Sequence, residues 1–160
     1  MTVMRTLDHK WTAITDHLNT SGWATIPGLI PDAMCDELAG VYDQDECFRT
    51  RIVMSRHGFG RGEYKYFAYP LPEVIQNLRS KLYRHLVPTA NAWNAELGSG
   101  IRYPSEHEDF LARCHEAGQR RPTPLLLRYE AGDYNCLHQD LYGEHQFPFQ
   151  VAILLSDPRG

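Results

Sequence analysis

Between Leu7 and Leu18 the apolar residues fall at positions 7, 11, 14 and 18, spacings of four, three and four that line one stripe of a helix. Ser21-Gly22 closes that helix, and Trp23 to Pro27 then reads as a short strand. Pro31 opens a second helix with Met34, Leu38 and Val41 facing inward, its far end weakened by Gly40. Phe48 to Met54 has strand character, whereas the glycines of His57-Gly58-Phe59-Gly60-Arg61-Gly62 predict a loop. A longer helix starts near Pro72. Val74, Leu78, Leu82 and Leu86 lie four residues apart with Ile75 and Tyr83 beside them, and Pro88 is placed to kink the helix before Trp93 and Leu97. Ser105-Glu106-His107-Glu108 has the form of a capping box at the start of a helix that carries Phe110, Leu111 and Cys114 and ends at Gly118.

After Pro122 the period changes from helical to extended. Leu125, Leu127 and Tyr129 alternate with Leu126, Arg128 and Glu130 before a turn at Gly132-Asp133. Further on, Phe147, Phe149, Val151, Ile153 and Leu155 share one face of an extended segment, with Pro148, Gln150, Ala152, Leu154 and Ser156 on the other. Five large residues in a row demand a partner layer. Helices first and strands later predict an α+β domain in which helices buttress an antiparallel sandwich or barrel. At 160 residues the chain has room for one such domain, with residues 1–121 mainly helical and residues 122–160 supplying strands.

Composition narrows the class without choosing a function. Hydrophobic residues at 42% and charged residues at 22% exclude disorder and collagen-like structure. A net charge of −4 gives no global positive field for nucleic acid or an anionic membrane, so neither partner is expected, although a local basic patch is compatible with it. The polar start, Met1 to Trp11, does not read as a secretory signal, and no apolar run is long enough to cross a membrane, so a cytoplasmic protein is expected. Cys35, Cys47, Cys114 and Cys136 form no Cys-x-x-Cys pair and read as reduced, mostly buried thiols. His85, His107 and His115, on the expected helices, read as exposed. Neither a Gly-x-Ser-x-Gly elbow nor a Gly-x-x-x-x-Gly-Lys phosphate loop is present.

Candidate chemistry is concentrated in residues 126–140. If His138 to Asp140 is extended, side chains two apart point the same way, and an imidazole and a carboxylate converge while Gln139 points elsewhere. This is two-thirds of a 2-His-1-carboxylate facial triad, the donor set that holds non-haem Fe(II) with three positions open. A bare His-x-Asp recurs by chance as surface polar groups, so its context matters. An apolar strand running into Arg128-Tyr129, the Gly132 turn, Tyr134, His138-x-Asp140 and an apolar segment ending Leu154-Leu155-Ser156-Asp157 together resemble the iron- and 2-oxoglutarate-dependent dioxygenases, most nearly their prolyl 4-hydroxylase-like branch. Gly22-Trp23-Ala24-Thr25-Ile26-Pro27-Gly28-Leu29-Ile30-Pro31, followed by a helix, resembles the strand and helix that often open such domains.

The resemblance implies a double-stranded β-helix, the jelly-roll or cupin-like barrel, with His138 and Asp140 as metal ligands. It implies Tyr129 as a donor to the 2-oxoglutarate carboxylate, a charge-assisted bond, and Tyr134 as a further residue of that pocket. An inward-facing core aromatic is the alternative account of Tyr129. Fe(II), 2-oxoglutarate and O2 would be the cofactors and co-substrates, with ascorbate a further candidate. The implied reaction is hydroxylation of a small-molecule or peptidyl substrate coupled to decarboxylation of 2-oxoglutarate, and the presence of Asp140 favours it over halogenation. The family also carries a second histidine several strands beyond His-x-Asp and then a basic residue. After Asp140 this sequence has only His145 and Arg159 to offer, which read as a solvated loop and a terminus. The expectation is therefore a barrel whose C-terminal part is missing, with an open strand edge suited to self-association. The competing reading is a catalytically silent fragment that acts as a binding or assembly module through that edge.

Overall fold

A long helix sets the frame. The computed structural model describes residues 11–140 and 143–156, and in it α3 (Glu73–Glu96) buries Leu78, Leu82, Tyr83, Leu86, Val87, Thr89 and Ala90 along one side. The helix continues through Pro88 to Glu96. Against it packs α1 (Trp11–Ser21), whose stripe of Trp11, Ile14 and Leu18 enters the same cluster as Leu78, Leu82 and Leu86. Leu7, the first residue of the expected stripe, lies outside the described residues. The amide of Gly22, at φ +77°, donates to Leu18 O (2.9 Å) and ends α1 where expected.

Residues 23–27 are not a strand. They run irregularly, with Trp23 exposed, and among the described residues no strand pairs with their backbone groups. α2 (Asp32–Gly40) follows with Pro31 as its cap rather than its first residue, and buries Leu38. Past Gly40 the chain tightens into a 3-10 turn at Val41–Asp43, which places Tyr42 in a second cluster with Phe67, Leu71 and Leu126. Ile75 and Leu155 touch both clusters and join them into one interior.

The sheet has three antiparallel strands in the order β1-β3-β4. β1 (Phe48–Val53) pairs with β3 (Glu63–Phe67), and β3 pairs with β4 (Leu125–Arg128), Tyr64 standing opposite Leu127 and Tyr66 opposite Leu125. A separate two-residue pairing joins β2 (Gly60–Arg61) to β5 (Tyr134–Asn135). The fold is thus α+β, but among the described residues these two small sheets form no closed barrel. The loop expected over residues 57–62 holds a two-residue strand, since β2 lies inside it, and is irregular at its other four positions.

Three further expectations need correction. The capping box at α4 (His107–Glu116) does not form: Glu106 occupies the cap position without a side-chain cap bond, its carboxylate being held by Arg84 at 2.7 Å. Glu108 and Asp109 in the first turn complement the helix dipole instead. His107 is buried rather than exposed, and His85 is half-buried, its ring stacked on Trp11 at 4.1 Å. Residues 147–156 make no strand pairing among the described residues, yet they keep a period-two pattern. Phe147, Phe149, Ile153 and Leu155 pack on the α1–α3 core, while Val151, the fifth residue of the expected row, is exposed. The partner layer for this segment is the helices. Of the four free thiols Cys114 is buried, Cys35 and Cys47 are half-buried and Cys136 is exposed.

Candidate metal and co-substrate site

β4 leads directly to Tyr129, and a turn over residues 130–133 reverses the chain, the amide of Asp133 donating to Glu130 O (2.9 Å) and the amide of Glu130 to Asp133 Oδ2 (3.0 Å). β5 then docks on β2. That docking needs Gly60 (φ +122°), where a Cβ would overlap the Tyr134 carbonyl oxygen, while at Gly62 (φ +112°) a Cβ would stand 2.8 Å from Tyr129 Cδ1 and push that ring away. The close approach lets the Cys136 amide donate to Phe59 O at 2.9 Å.

From Cys136 the chain turns over the site. His138 Nδ1 bonds the Cys136 carbonyl at 2.7 Å, and because a carbonyl only accepts, Nδ1 carries a proton, which makes Nε2 the nitrogen whose lone pair a cation can take. Nε2 stands 3.6 Å from Asp140 Oδ1, while Asp140 Oδ2 accepts from Gln150 Nε2 at 3.1 Å. Both side chains are about half exposed, at 49% and 45%. The convergence anticipated from strand alternation is present, but residues 138–140 belong to no strand. Two backed electron-pair donors at this separation suit one cation between them, since nitrogen and oxygen ligands each sit about 2.0–2.2 Å from a first-row ion. A carbonyl behind the imidazole and an amide behind the carboxylate are the usual second layer of such a site. In donor chemistry, then, the pair fits Fe(II). No third His, Cys, Asp or Glu joins it among the described residues. His145 is held elsewhere: its amide donates to Gln119 Oε1 (2.8 Å) and its carbonyl accepts from Gln119 Nε2 (3.0 Å). Arg159 lies outside the described residues.

Tyr129 is 44% exposed, its ring lying against Gly62. Burial first, and then the charge of Asp133, push its phenol pKa up, so the hydroxyl stays a proton donor. Tyr134, on β5 opposite Arg61, is 56% exposed. Beside Tyr129 a polar cavity of about 200 Å³ is lined by Gly62, Glu63, Arg128, Glu130 and Asp133. Its charges are largely satisfied among themselves. Glu63 accepts from Tyr42 Oη (2.9 Å), Arg51 Nε (2.9 Å) and Arg128 Nη2 (2.6 Å), and Asp133 stands 3.6 Å from Arg61. Burial raises the Glu63 pKa, but the bonds from Arg51 and Tyr42 and the charges of Arg128 and Arg51 outweigh it and hold the carboxyl below its usual range. The residues that sequence reasoning missed are Cys136, acting through its backbone, and Gln150. Gln150 carried a weak signal, a polar residue on the outward face of an otherwise apolar segment.

An α+β frame that turns an imidazole nitrogen and a carboxylate oxygen toward one point defines a candidate mononuclear metal centre. Residues 62–160 match the model of the family Oxygenase-NA, described as an oxygenase catalysing oxidative methylation of damaged DNA, and the chain belongs to that family. The match places it among oxygenases without singling out a prolyl 4-hydroxylase-like branch. An uncharacterized protein of Mycobacterium tuberculosis strain CDC 1551 / Oshkosh and another of strain H37Rv are each 52% identical to it over 92 residues, 58% of this chain. The matched stretch spans 40% of the length of each of those relatives. No solved structure matches. No described helix is long and apolar enough to cross a membrane.

Proposed function

We propose that this chain serves an Fe(II)- and 2-oxoglutarate-dependent oxygenase of the hydroxylating type, with damaged DNA, the substrate named in the family description, as its substrate class. The observation that carries the reading is the 3.6 Å approach of His138 Nε2 to Asp140 Oδ1, with the other imidazole nitrogen committed to Cys136 O. His138 and Asp140 would hold the ion, and the double-stranded β-helix implied by the sequence would be the frame around it. When bound, the metal with 2-oxoglutarate and O2 supplies the oxidation: one oxygen atom enters a substrate C–H bond, the other enters succinate, and carbon dioxide leaves. The chain's own residues bind and orient. Tyr129 donates its phenol proton to a 2-oxoglutarate carboxylate, a charge-assisted bond that a raised pKa preserves. Tyr134 would be a further residue of the co-substrate pocket. The Cys136 carbonyl fixes the imidazole tautomer and Gln150 steadies the carboxylate.

The test is anaerobic titration calorimetry of the purified chain with Fe(II), then with 2-oxoglutarate. Metal-dependent binding of 2-oxoglutarate is expected. His138→Ala and Asp140→Ala should each weaken it at least about tenfold, the lower end of what loss of even a supporting group costs a metal site. Absence of metal-dependent co-substrate binding by the wild-type chain sinks the reading.

A further inference from the structure

The glycine-rich arm between β1 and β3 is built rigidly at its base and leaves an aromatic ring in solvent at its tip. The amides of His57 and Phe59 both donate to Met54 O (3.0 and 3.1 Å), and the Met54 amide donates to Gly62 O (3.0 Å). The Phe59 carbonyl takes the Cys136 amide, and the Cys136 carbonyl takes His138 Nδ1, so a single residue, Cys136, links the arm to the candidate metal ligand. Yet the Phe59 ring is 46% exposed, with the His57 ring stacked on it at 5.3 Å and 23°. A ring so placed adds little to the core, while the backbone beneath it is fixed by these four backbone hydrogen bonds.

The charge around it runs against the rest of the chain. Residues 49–65 carry Arg49, Arg51, Arg56, Arg61 and Lys65 against a single acid, Glu63, in a protein of net charge −4. Arg51 is matched by Glu63 and Lys65 by Asp45, and Arg49 lies over the Tyr66 ring and on Pro122 O. Arg56 and Arg61 stand on the arm itself, Arg61 with 63% of its side chain exposed and only a 3.6 Å approach to Asp133. An exposed aromatic face flanked by guanidinium groups is the chemistry that takes an unpaired base and its phosphates.

We propose that this arm holds single-stranded DNA beside the metal site. The Phe59–His57 pair stacks on an unpaired base, and Arg56 and Arg61 contact the phosphates flanking it. The inference rests on the reading of damaged DNA as substrate, and it assigns the contact to named residues outside the metal-binding pair.

Fluorescence anisotropy with a labelled single-stranded oligonucleotide of roughly 12 nucleotides, within the usual site sizes, tests it in EDTA, where no metal chemistry intervenes. Phe59→Ala should weaken binding about tenfold, the scale of one lost base stack, while Phe59→Tyr, which keeps the ring, should restore it. The double variant Arg56→Gln/Arg61→Gln should lower the slope of log K against log salt by about 1.4, two phosphates at about 0.7 each. Circular dichroism spectra matching wild type identify folded variants. Wild-type affinities for Phe59→Ala and the arginine variant, a preference for duplex, or no binding by the wild-type chain would each overturn the proposal. The two readings separate cleanly. His138→Ala should lose co-substrate but keep the oligonucleotide, and a wild-type chain that binds DNA through Phe59 yet never binds 2-oxoglutarate would defeat the oxygenase reading alone.

Discussion

Gly60→Ala should uncouple the arm from β5, and its cost can be worked from the backbone. At φ +122° a side chain is strained by about 1–2 kcal/mol wherever it points. Here the new Cβ also overlaps the Tyr134 carbonyl oxygen and stands 3.1 Å from Asn135 Cα, so the β2–β5 pairing has to open. Opening forfeits the Cys136–Phe59 hydrogen bond, worth about 1 kcal/mol net, for a total of about 2–3 kcal/mol. Gly58→Ala is the control, because its φ of +71° brings the strain while no atom lies within 4 Å of the new Cβ. Hydrogen exchange followed by mass spectrometry reads the difference at the Cys136 amide. In Gly60→Ala that amide should exchange about five- to tenfold faster, the factor that roughly 1 kcal/mol or slightly more produces, and in Gly58→Ala it should stay protected. Thermal unfolding should show the larger loss for Gly60→Ala, at about 2–4 °C per kcal/mol for a chain of this size. Equal protection at Cys136 in the two variants would refute the claim that close backbone approach ties the arm to the site.

Two further outcomes concern the frame. His107, buried near Tyr83 and Arg79, has its pKa pushed down to about 4 by burial and then by the Arg79 charge, so the ring is neutral in the folded state. The unfolded chain therefore binds the extra proton first: stability is full above about pH 6.5 and falls as pH drops toward 4, by roughly 1–2 kcal/mol after allowance for solvent screening. Urea midpoints at pH 7, 5.5 and 4.5 should show this, and His107→Gln should flatten the slope; an equal slope in that variant would assign it to other groups. Glu63→Gln removes the charge on which Tyr42, Arg51 and Arg128 converge and should cost about 1–3 kcal/mol. A denaturant midpoint unchanged from wild type would show that these contacts contribute nothing net.

The helices were legible because their signal is local. The stripes of α1 and α3 are periodic in sequence, and Gly22 and Gly118 stop their helices as such glycines do. β3 was not legible. Glu63-Tyr64-Lys65-Tyr66-Phe67 follows directly on three glycines, and its alternation is disguised by Lys65, whose buried ammonium bonds Tyr42 O and Asp45 Oδ1 at 2.7 Å each. A charged residue on the inner face reads as an outer one until its partners, some 20 residues away, are known. The 3-10 turn that brings Tyr42 into the core and the buried ring of His107 are hidden for the same reason: both are decided by neighbours distant in sequence.

The candidate site shows how a sound rule can reach the right contact by the wrong route. Period-two alternation placed His138 and Asp140 side by side on a strand, and their side chains do meet, but no ladder holds residues 138–140. Their geometry is imposed from behind instead, by the Cys136 carbonyl on one and Gln150 on the other. The distinction has a consequence for where the site is vulnerable. A strand would protect the pair through many backbone bonds, whereas here the imidazole depends on the carbonyl of one residue, Cys136, whose amide is anchored on Phe59 O beside a two-residue pairing that exists only because position 60 lacks a side chain. Orientation of the His138 imidazole is thus set some 78 residues earlier in the chain, at Gly60, and a substitution there should reach His138 without touching it.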